Sequence, residues 1–230
     1  MSGKGIIILI SVLLVAAVVS LLFYLNLSES IELEAEYDRL IEEGFQYIND
    51  KGNMDSMDAA VKTALTAQKI FPVRKEALIL LGLAYNEKGA HRKAEGTFKK
   101  GLEDLNDVDY YAELSYHLGY TYSLLYNELK QEDLLNQAIN SFSEGASSGY
   151  HRADSYFGIG ALYFDRYLKN LTPFLKDKVV INFQRCIDIE SSMEGYVENE
   201  PDSICPLCRR PFIKKAEDES FKKLMDDLTK

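Results

Sequence analysis

The chain has 230 residues, of which 47% are hydrophobic and 27% are charged, and it contains no tryptophan. This composition is typical of one globular domain with an appended segment. The formal net charge is −10 at pH 7, which argues against a nucleic-acid-binding protein, since such proteins cluster lysine and arginine on one face. The acidity also argues against a surface that binds anionic lipids.

The first predicted element is an apolar run at residues 6–27, which follows a short tail at residues 1–5. Only Ser11, Ser20 and Asn26 interrupt it. A bilayer core about 30 Å thick needs about 20 apolar residues in a helix, so the run is long enough to span a membrane. The alternative is a cleaved signal peptide, but its apolar region is usually only about 7–15 residues long. We therefore predict an uncleaved single-pass transmembrane helix in contact with the lipid bilayer.

The charges beside this run predict its orientation. Lys4 precedes the run, and the next basic residue after it is Arg39. Basic residues that flank a span favour the cytoplasmic side. The remainder of the chain is therefore predicted to lie outside the cytoplasm, which in a bacterium is the periplasm.

A glycine followed three positions later by a tyrosine recurs four times within residues 28–191. The pairs are Gly44/Tyr47, Gly82/Tyr85, Gly119/Tyr122 and Gly160/Tyr163. A second motif follows each pair, at Ala60/Ala64, Ala94/Phe98, Ala138/Phe142 and Val179/Phe183, and a small residue comes three positions later, at Ala67, Gly101, Gly145 and Cys186. Because a glycine inside a helix costs about 1 kcal/mol relative to alanine, each one implies close contact with another helix.

The segment Lys75–Asn106 shows the whole pattern without an insertion, with Gly89 between its two halves. It reads L-x2-L-G-x2-Y from Leu78 to Tyr85 and then A-x3-F from Ala94 to Phe98. This pattern resembles the tetratricopeptide repeat (TPR) family, whose 34-residue unit is a helix–turn–helix. The resemblance implies an all-α fold in which about four helical hairpins stack into an α-solenoid. It also implies a scaffold for protein–protein interaction, although a fold does not by itself determine function.

The units differ in the distance from the tyrosine to the second motif. This distance is longer in the third and fourth units than in the second by about two helical turns of roughly 3.6 residues each. One added turn on each helix would lengthen these hairpins without rotating their inner faces. In the first unit the surplus falls in Asn49–Asn53, whose composition predicts a loop.

In the TPR family the first helix of each unit lines the concave face, so the resemblance implies a partner-binding surface there. The corresponding positions are mostly apolar or aromatic: Ile41, Phe45, Ile48, Ile79, Leu83, Asn86, Tyr116, Tyr120, Ser123, Phe157, Ala161 and Phe164. An acid stands six residues before each glycine, at Asp38, Glu76, Glu113 and Asp154. An aromatic trough edged by carboxylates suits a hydrophobic or basic segment of another protein.

Both features also have structural explanations. An acid in the first turn of a helix stabilises the helix dipole by roughly 0.3–1 kcal/mol without any ligand. Aromatic residues at helical spacing often belong to the core. Some relatives clamp the C-terminal carboxylate of a chaperone with lysine and asparagine, but the positions here are acidic or apolar, so that clamp is not implied.

Residues 192–213 form a predicted polar linker that carries the motif Cys205-Pro206-Leu207-Cys208. The motif resembles half of a zinc ribbon or the last ligand pair of a RING finger, so zinc is the one cofactor that it suggests. A closed zinc site needs four ligands, and a second pair is absent, which leaves zinc shared between two chains, a local disulfide or a redox dithiol as further interpretations. A metal-binding or redox module that uses Cys205 and Cys208 is therefore the alternative function, with the repeats as its positioning scaffold.

Residues 214–230 place Phe221, Leu224, Met225 and Leu228 at helical spacing. This spacing predicts a C-terminal helix that caps the last hairpin, as solenoids require, and an amphipathic helix that binds a partner is the other interpretation. Thr172-Pro173 is typical of a helix start, with an N-cap followed by proline at the first helical position.

The sequence shows no phosphate-binding loop, no nucleophile elbow and no histidine paired with a plausible nucleophile, so we predict that the protein is not an enzyme. The predicted function is a membrane-anchored scaffold whose repeats bind another polypeptide and hold it near the bilayer. The layout resembles that of bacterial accessory factors for envelope protein export or assembly.

Overall fold

The computed structural model describes residues 3–50, 53–72, 74–104, 108–147, 152–192 and 219–229. Side chains are described from Tyr24 onwards, apart from those of residues 25, 26, 108, 109 and 191. Within these residues the chain forms nine α-helices and no strand. The predicted all-helical fold is therefore confirmed for this part of the chain.

Eight of the helices form four successive hairpins, and the ninth is a single helix that has no partner of its own in a hairpin. They are α1 (Gly3–Asn49), α2 (Met54–Ile70), α3 (Lys75–Glu87), α4 (His91–Asp104), α5 (Val108–Leu129), α6 (Glu132–Gly145), α7 (Arg152–Asn170), α8 (Pro173–Ser192) and α9 (Glu219–Thr229). Each helix up to α8 contacts the next one along the chain, and α8 contacts α9. This arrangement is a stack of helical hairpins, the solenoid that the repeated motif predicts.

Three of the four predicted glycines lie where the two helices of a hairpin meet. A Cβ atom added to any of these three would lie within 3.0 Å of a phenylalanine ring on the second helix of the same hairpin. The pairs are Gly82 with Phe98, Gly119 with Phe142 and Gly160 with Phe183. Each glycine therefore makes room for the aromatic ring that the second motif supplies, as the repeat pattern predicts.

The first hairpin fills the same space differently. Ala64 of α2 stands at the position that phenylalanine occupies in the other units, and its side chain is too short to reach α1. Leu80 of α3 fills the gap, because a Cβ atom added to Gly44 would lie 2.3 Å from its Cδ2 atom. The first hairpin thus depends on the second for part of its core.

The turns of the second, third and fourth hairpins each contain one residue in the left-handed backbone conformation. Gly89 follows α3 with a φ of 71°, and the corresponding residues of the longer hairpins, Lys130 and Leu171, have φ values of 55° and 46°. Thr172 caps α8 as predicted, because its Oγ1 accepts a hydrogen bond from the Leu175 amide at 3.4 Å. Relative to the second hairpin, α5 and α7 run about one turn further past their glycine, and α6 and α8 begin about one turn earlier.

The predicted transmembrane run at residues 6–27 lies in α1, and most of its side chains fall outside the described set. No helix is long and apolar enough to cross a membrane among the residues that the structure describes. α1 has 47 residues, roughly 70 Å at about 1.5 Å per residue. It continues without a break into the first repeat, so the boundary predicted between residues 27 and 28 is not a break in the helix.

α9 lies over the end of the fourth hairpin. Its Phe221, Met225 and Leu228 are buried against Val179 and Phe183 of α8. The remaining residues of α9 are mostly charged and exposed. α9 therefore presents a polar outer face where it covers the last hairpin. The predicted linker beyond Ser192 and the first residues of the predicted C-terminal segment, 214–218, lie outside the described residues.

Candidate partner-binding surface

The first helices of the hairpins form the inner layer of the stack. α1 contacts α3, α3 contacts α5 and α5 contacts α7, whereas within the described ranges no second helix contacts another second helix. Helices that contact one another lie closer together than helices that do not, so the stack curves towards the first helices. The concave face is therefore on α1, α3, α5 and α7.

Four of the residues predicted to contact a partner belong to the core instead. Ile41, Phe45, Ile48 and Ile79 are buried in the main hydrophobic cluster. These side chains lie inside the stack, where α1 packs against α2 and α3, and α3 packs against α2, α4 and α5 as well. A partner on the concave face does not reach them, so the candidate surface is confined to the later units.

Asn86, another predicted contact, lies inside the seam between the second and third units. Its buried Nδ2 donates a hydrogen bond to Thr121 Oγ1 at 2.9 Å, and its Oδ1 lies 3.4 Å from His91 Nδ1. The bond to Thr121 holds the end of α3 against α5, and the contact with His91 joins it to the start of α4. Asn86 therefore positions the surface rather than forming part of it.

Two of the four predicted acids join successive repeats. Glu76 accepts a hydrogen bond from the Tyr37 hydroxyl at 3.3 Å, and burial, followed by this carboxylate, raises the pKa of Tyr37. Glu113 pairs with Lys75 at 3.2 Å, with both side chains mostly covered. The two donors, Tyr37 and Lys75, occupy equivalent positions, seven residues before the glycine of their own unit. Each acid belongs to the following unit and stands six residues before the glycine of that unit. These acids therefore stabilise the seams, while Asp38 is exposed and Asp154 is partly buried.

Phe157 and Phe164 contact the cluster under α9. The Phe157 ring centroid lies 5.5 Å from that of Phe183 and 5.6 Å from that of Phe221. Phe164 packs against the same cluster, and both side chains are partly buried. The aromatic residues predicted on α7 thus attach the terminal helix.

The predicted residues that remain accessible centre on Tyr120 of α5, whose side chain is 40% exposed. Leu83, Tyr116 and Ser123 are partly buried, and Ala161 is exposed. We call these five residues the Tyr120 surface. They lie on α3, α5 and α7 and therefore belong to three units of the stack.

Carboxylates flank the Tyr120 surface. Partial burial, followed by the Glu87 carboxylate, raises the pKa of Tyr120. Burial, followed by Asp154 and Tyr120, raises the pKa of Tyr116. Both phenols therefore stay protonated at neutral pH. α5 itself contains no lysine or arginine, so the surface offers aromatic rings beside negative charge.

Glu87 is a residue that the sequence pattern does not single out. It is the last residue of α3 and follows Asn86. The hydrogen bond from Asn86 to Thr121 places this end of α3 beside Tyr120. Its role depends on the contact between two units, which the pattern within one unit does not describe.

The candidate metal ligands Cys205 and Cys208 lie outside the described residues. Cys186, the third cysteine, is fully buried on α8, and its thiol lies 3.7 Å from Glu190 Oε1. This burial agrees with its predicted role as a small packing residue. In the part of the chain that the structure describes, no group of three or more histidine, cysteine, aspartate and glutamate residues is placed to hold a metal ion.

The solved structures that resemble this chain include two crystal structures of MamA. The crystal structure of MamA protein matches with a TM-score of 0.50 and 18% sequence identity, over 84% of this chain and 86% of that one. A second crystal structure of MamA matches with a TM-score of 0.47 and 20% identity, over 79% and 88% of the two chains. At this identity the first likeness bears on the fold alone, and it supports a helical repeat fold. Neither a protein-family model nor a curated protein sequence matches the chain.

Proposed function

We propose that this protein is a membrane-anchored scaffold whose helical repeats bind a segment of another protein on the Tyr120 surface. The observation that carries the proposal is the exposure of Tyr120. Phe45, which stands at the corresponding position of the first unit, is fully buried. An aromatic ring left accessible at the centre of a concave layer is suited to ligand contact, because tyrosine supplies apolar area and a hydroxyl donor together.

The chemistry of the surface indicates the kind of segment that it binds. The Glu87 carboxylate helps to raise the pKa of Tyr120, and the Asp154 carboxylate helps to raise that of Tyr116. α5 contains no lysine or arginine. A lysine or arginine side chain is attracted both to the carboxylates and to the ring face of Tyr120. The proposed ligand is therefore an apolar segment that carries a basic residue. Recognition by a groove of this kind does not require a catalytic group or a cofactor.

The proposed anchor is the apolar run at residues 6–27. Its support is the length and apolarity of the run in the sequence, together with the continuity of α1 from the run into the first repeat. Because the helix is continuous, it holds the stack at a fixed distance from the membrane. We propose that the repeats lie outside the cytoplasm, because Lys4 precedes the run and the next basic residue is Arg39. We also propose a role in bacterial envelope protein export or assembly, on the layout of one span followed by a repeat array.

Affinity capture tests this proposal. The full chain is purified from detergent-solubilised membranes as wild type, as Tyr120→Ala and as Tyr111→Ala. Tyr111 is a matched control, because its side chain is 39% exposed and lies on α5 about two and a half turns from Tyr120, on the opposite face. The wild type and Tyr111→Ala retain the partner, whereas Tyr120→Ala loses it. Retention of the same partner by Tyr120→Ala contradicts the proposal.

The alternative function assigns the chemistry to Cys205 and Cys208. Replacing both cysteines with serine separates the two proposals, because a scaffold keeps its set of partners in this variant. A metal-binding or redox module loses its activity or its bound zinc. Zinc analysis and thiol titration of the wild-type protein complete the comparison.

A further inference from the structure

One carboxylate beside the Tyr120 surface is both exposed and close to Tyr120 itself. Asn86 of α3 donates a hydrogen bond to Thr121 of α5 at 2.9 Å. Glu87 directly follows the donor and Tyr120 directly precedes the acceptor, so both lie at the same point of the seam between α3 and α5. Glu87 is exposed, and after partial burial its carboxylate is the second cause of the raised pKa of Tyr120. An exposed negative charge therefore stands beside an exposed aromatic ring.

The basic side chains that follow Glu87 in the sequence are engaged with other acids. Lys88 pairs with Asp58 of α2, and Arg92 pairs with Glu95 within α4. Among the residues with described side chains, no lysine or arginine forms an ion pair with Glu87. Its charge is therefore available to a ligand.

A cation suits the space between Glu87 and Tyr120. A lysine or arginine of the ligand gains an ion pair with the carboxylate and a cation–π contact with the ring, and at an exposed site each strengthens binding by roughly a few fold. Asp154, the other acid near the Tyr120 surface, is partly buried. Of the two carboxylates, Glu87 is thus the better placed to contact a ligand.

An exposed apolar side chain extends the Tyr120 surface along α7. Phe157, Ala161, Phe164 and Leu168 follow one another at spacings of four, three and four residues, which places them on one face of the helix. Phe157 and Phe164 pack against the cluster under α9, whereas Leu168 is 59% exposed. Leu168 therefore offers an apolar contact on α7, two units away from Glu87 on α3.

The positions of Tyr120 and Leu168 set the length of a ligand that contacts both. Tyr120 and Ala161 each follow the glycine of their own unit by one residue, and the hydrogen bond from Tyr126 to Asp165 joins α5 to α7. Leu168 lies seven residues beyond Ala161, which is about 10 Å along the axis, and packed helices lie about 8–10 Å apart. An extended chain at about 3.3 Å per residue crosses the resulting distance of roughly 13 Å in about four residues.

We propose that the Tyr120 surface selects an extended segment in which a lysine or arginine and an apolar residue stand about four to six positions apart. The range extends beyond four because the cation site lies on the side of Tyr120 that faces away from α7. Glu87 determines the preference for a basic side chain, and Leu168 contacts the apolar one. This inference rests on the proposed function, since it names the ligand features that the same surface recognises. The net charge of −10 also favours the approach of a basic segment.

Selection from a displayed library of random short peptides tests the role of Glu87. The full chain is immobilised in detergent as wild type, as Glu87→Lys and as Glu103→Lys. Glu103→Lys is the control, because it makes the same change of charge at an exposed position of α4. The wild type and Glu103→Lys are expected to enrich peptides with a basic and an apolar residue at the proposed spacing. Glu87→Lys is expected to enrich an acidic residue in place of the basic one.

Three results of this selection overturn the proposal. They are enrichment of the same basic peptides by Glu87→Lys, enrichment by the wild type of peptides without a basic residue, and no enrichment by the wild type. Tyr120→Ala, selected in parallel, separates this proposal from the proposed function. Peptides that depend on Tyr120 but not on Glu87 overturn the present inference alone, whereas peptides retained by Tyr120→Ala contradict the proposed function as well.

A synthetic peptide with one arginine and one leucine at the proposed spacing, in a glycine and serine background, tests the role of Leu168. Replacing the leucine of the peptide with serine is expected to weaken binding to the wild type about fivefold, measured by fluorescence anisotropy. The same replacement is expected to have no effect on binding to Leu168→Ser, because the two changes remove one contact. Leu65→Ser on α2, where Leu65 is 41% exposed, is the control and should behave like the wild type. An equal loss with the wild type and Leu168→Ser overturns the assignment of Leu168.

Discussion

Gly82 of α3 faces the tip of the Phe98 ring of α4. A Cβ atom added to the glycine would lie 2.2 Å from the Cζ atom of the phenylalanine. Cβ atoms do not come this close to a heavy atom of a non-neighbouring residue, so the hairpin in its present form requires glycine at this position. The same relationship recurs in the third and fourth hairpins, and it is the physical basis of the repeat.

Gly82→Ala is therefore expected to destabilise the protein by about 1–3 kcal/mol, the usual cost of overpacking a core. Alanine is the better helix former, but Phe98 must move to admit its methyl group. Thermal or denaturant unfolding followed by circular dichroism measures the change. Gly96 is the control, because it lies inside α4 with nothing within 4 Å of an added Cβ atom. Gly96→Ala is expected to stabilise the protein by roughly 0.5–1 kcal/mol. Equal effects of the two substitutions would contradict this explanation.

Phe157 is expected to act through stability. Its ring contacts the rings of Phe183 and Phe221, so Phe157→Ala leaves a cavity under α9 and costs about 2–4 kcal/mol. The melting temperature measures this loss, and Leu65→Ala on the exposed face of α2 is expected to change stability by less than about 0.5 kcal/mol. A Phe157→Ala protein that melts like the wild type would show that α9 does not depend on this cluster.

Because of Lys75, the free energy of unfolding is expected to change with pH in the alkaline range. Burial lowers the pKa of Lys75, but the Glu113 carboxylate raises it, and the net shift is upwards from 10.5. A raised folded pKa stabilises the fold below the unfolded pKa, and this contribution is lost as the pH rises through the folded value. The difference in unfolding free energy between the wild type and Lys75→Met, about 1 kcal/mol at neutral pH, is therefore expected to shrink above about pH 10.5.

Denaturant titrations at pH 8 and pH 11 measure this difference. Lys62→Met on the exposed surface of α2 provides the control, and its difference from the wild type should not depend on pH in the same way. If the Lys75→Met difference is the same at both pH values, the pair with Glu113 does not contribute as proposed.

The spacing of residues within one hairpin predicts most of the fold, because the contacts that form a hairpin are local. Gly82 meets Phe98, and the distance between them in the sequence is that of one repeat motif. Contacts between hairpins follow no such spacing. Leu80 fills the space above Gly44, and α9 covers Phe157 across a long stretch of chain. For this reason the sequence predicts the concave helices but not which of their side chains are buried.

Ile79 and Tyr120 illustrate this limit. Both lie on first helices at positions assigned to the concave face, yet Ile79 is buried and Tyr120 is 40% exposed. Ile79 belongs to the main hydrophobic cluster, and Tyr120 does not. Hydrophobicity alone ranks Ile79 as highly as Tyr120 among the candidates for partner contact.

Membrane association is expected to depend on residues 6–27. The full chain should stay with the membrane fraction after extraction with alkaline carbonate, because a spanning helix resists conditions that remove peripheral proteins. A variant that lacks these residues should be released. Recovery of the intact chain in the soluble fraction would remove the anchor from the proposed function.

Photo-cross-linking from the concave face tests the central proposal most directly. A photoreactive benzoyl-phenylalanine is placed at position 120 or at position 111 of the full chain in its own membranes. Position 120 is expected to give one discrete adduct whose cross-linked segment contains apolar and basic residues, and position 111 is expected to give none. Equal adducts at the two positions, or an adduct at position 111 alone, would contradict a binding surface centred on Tyr120.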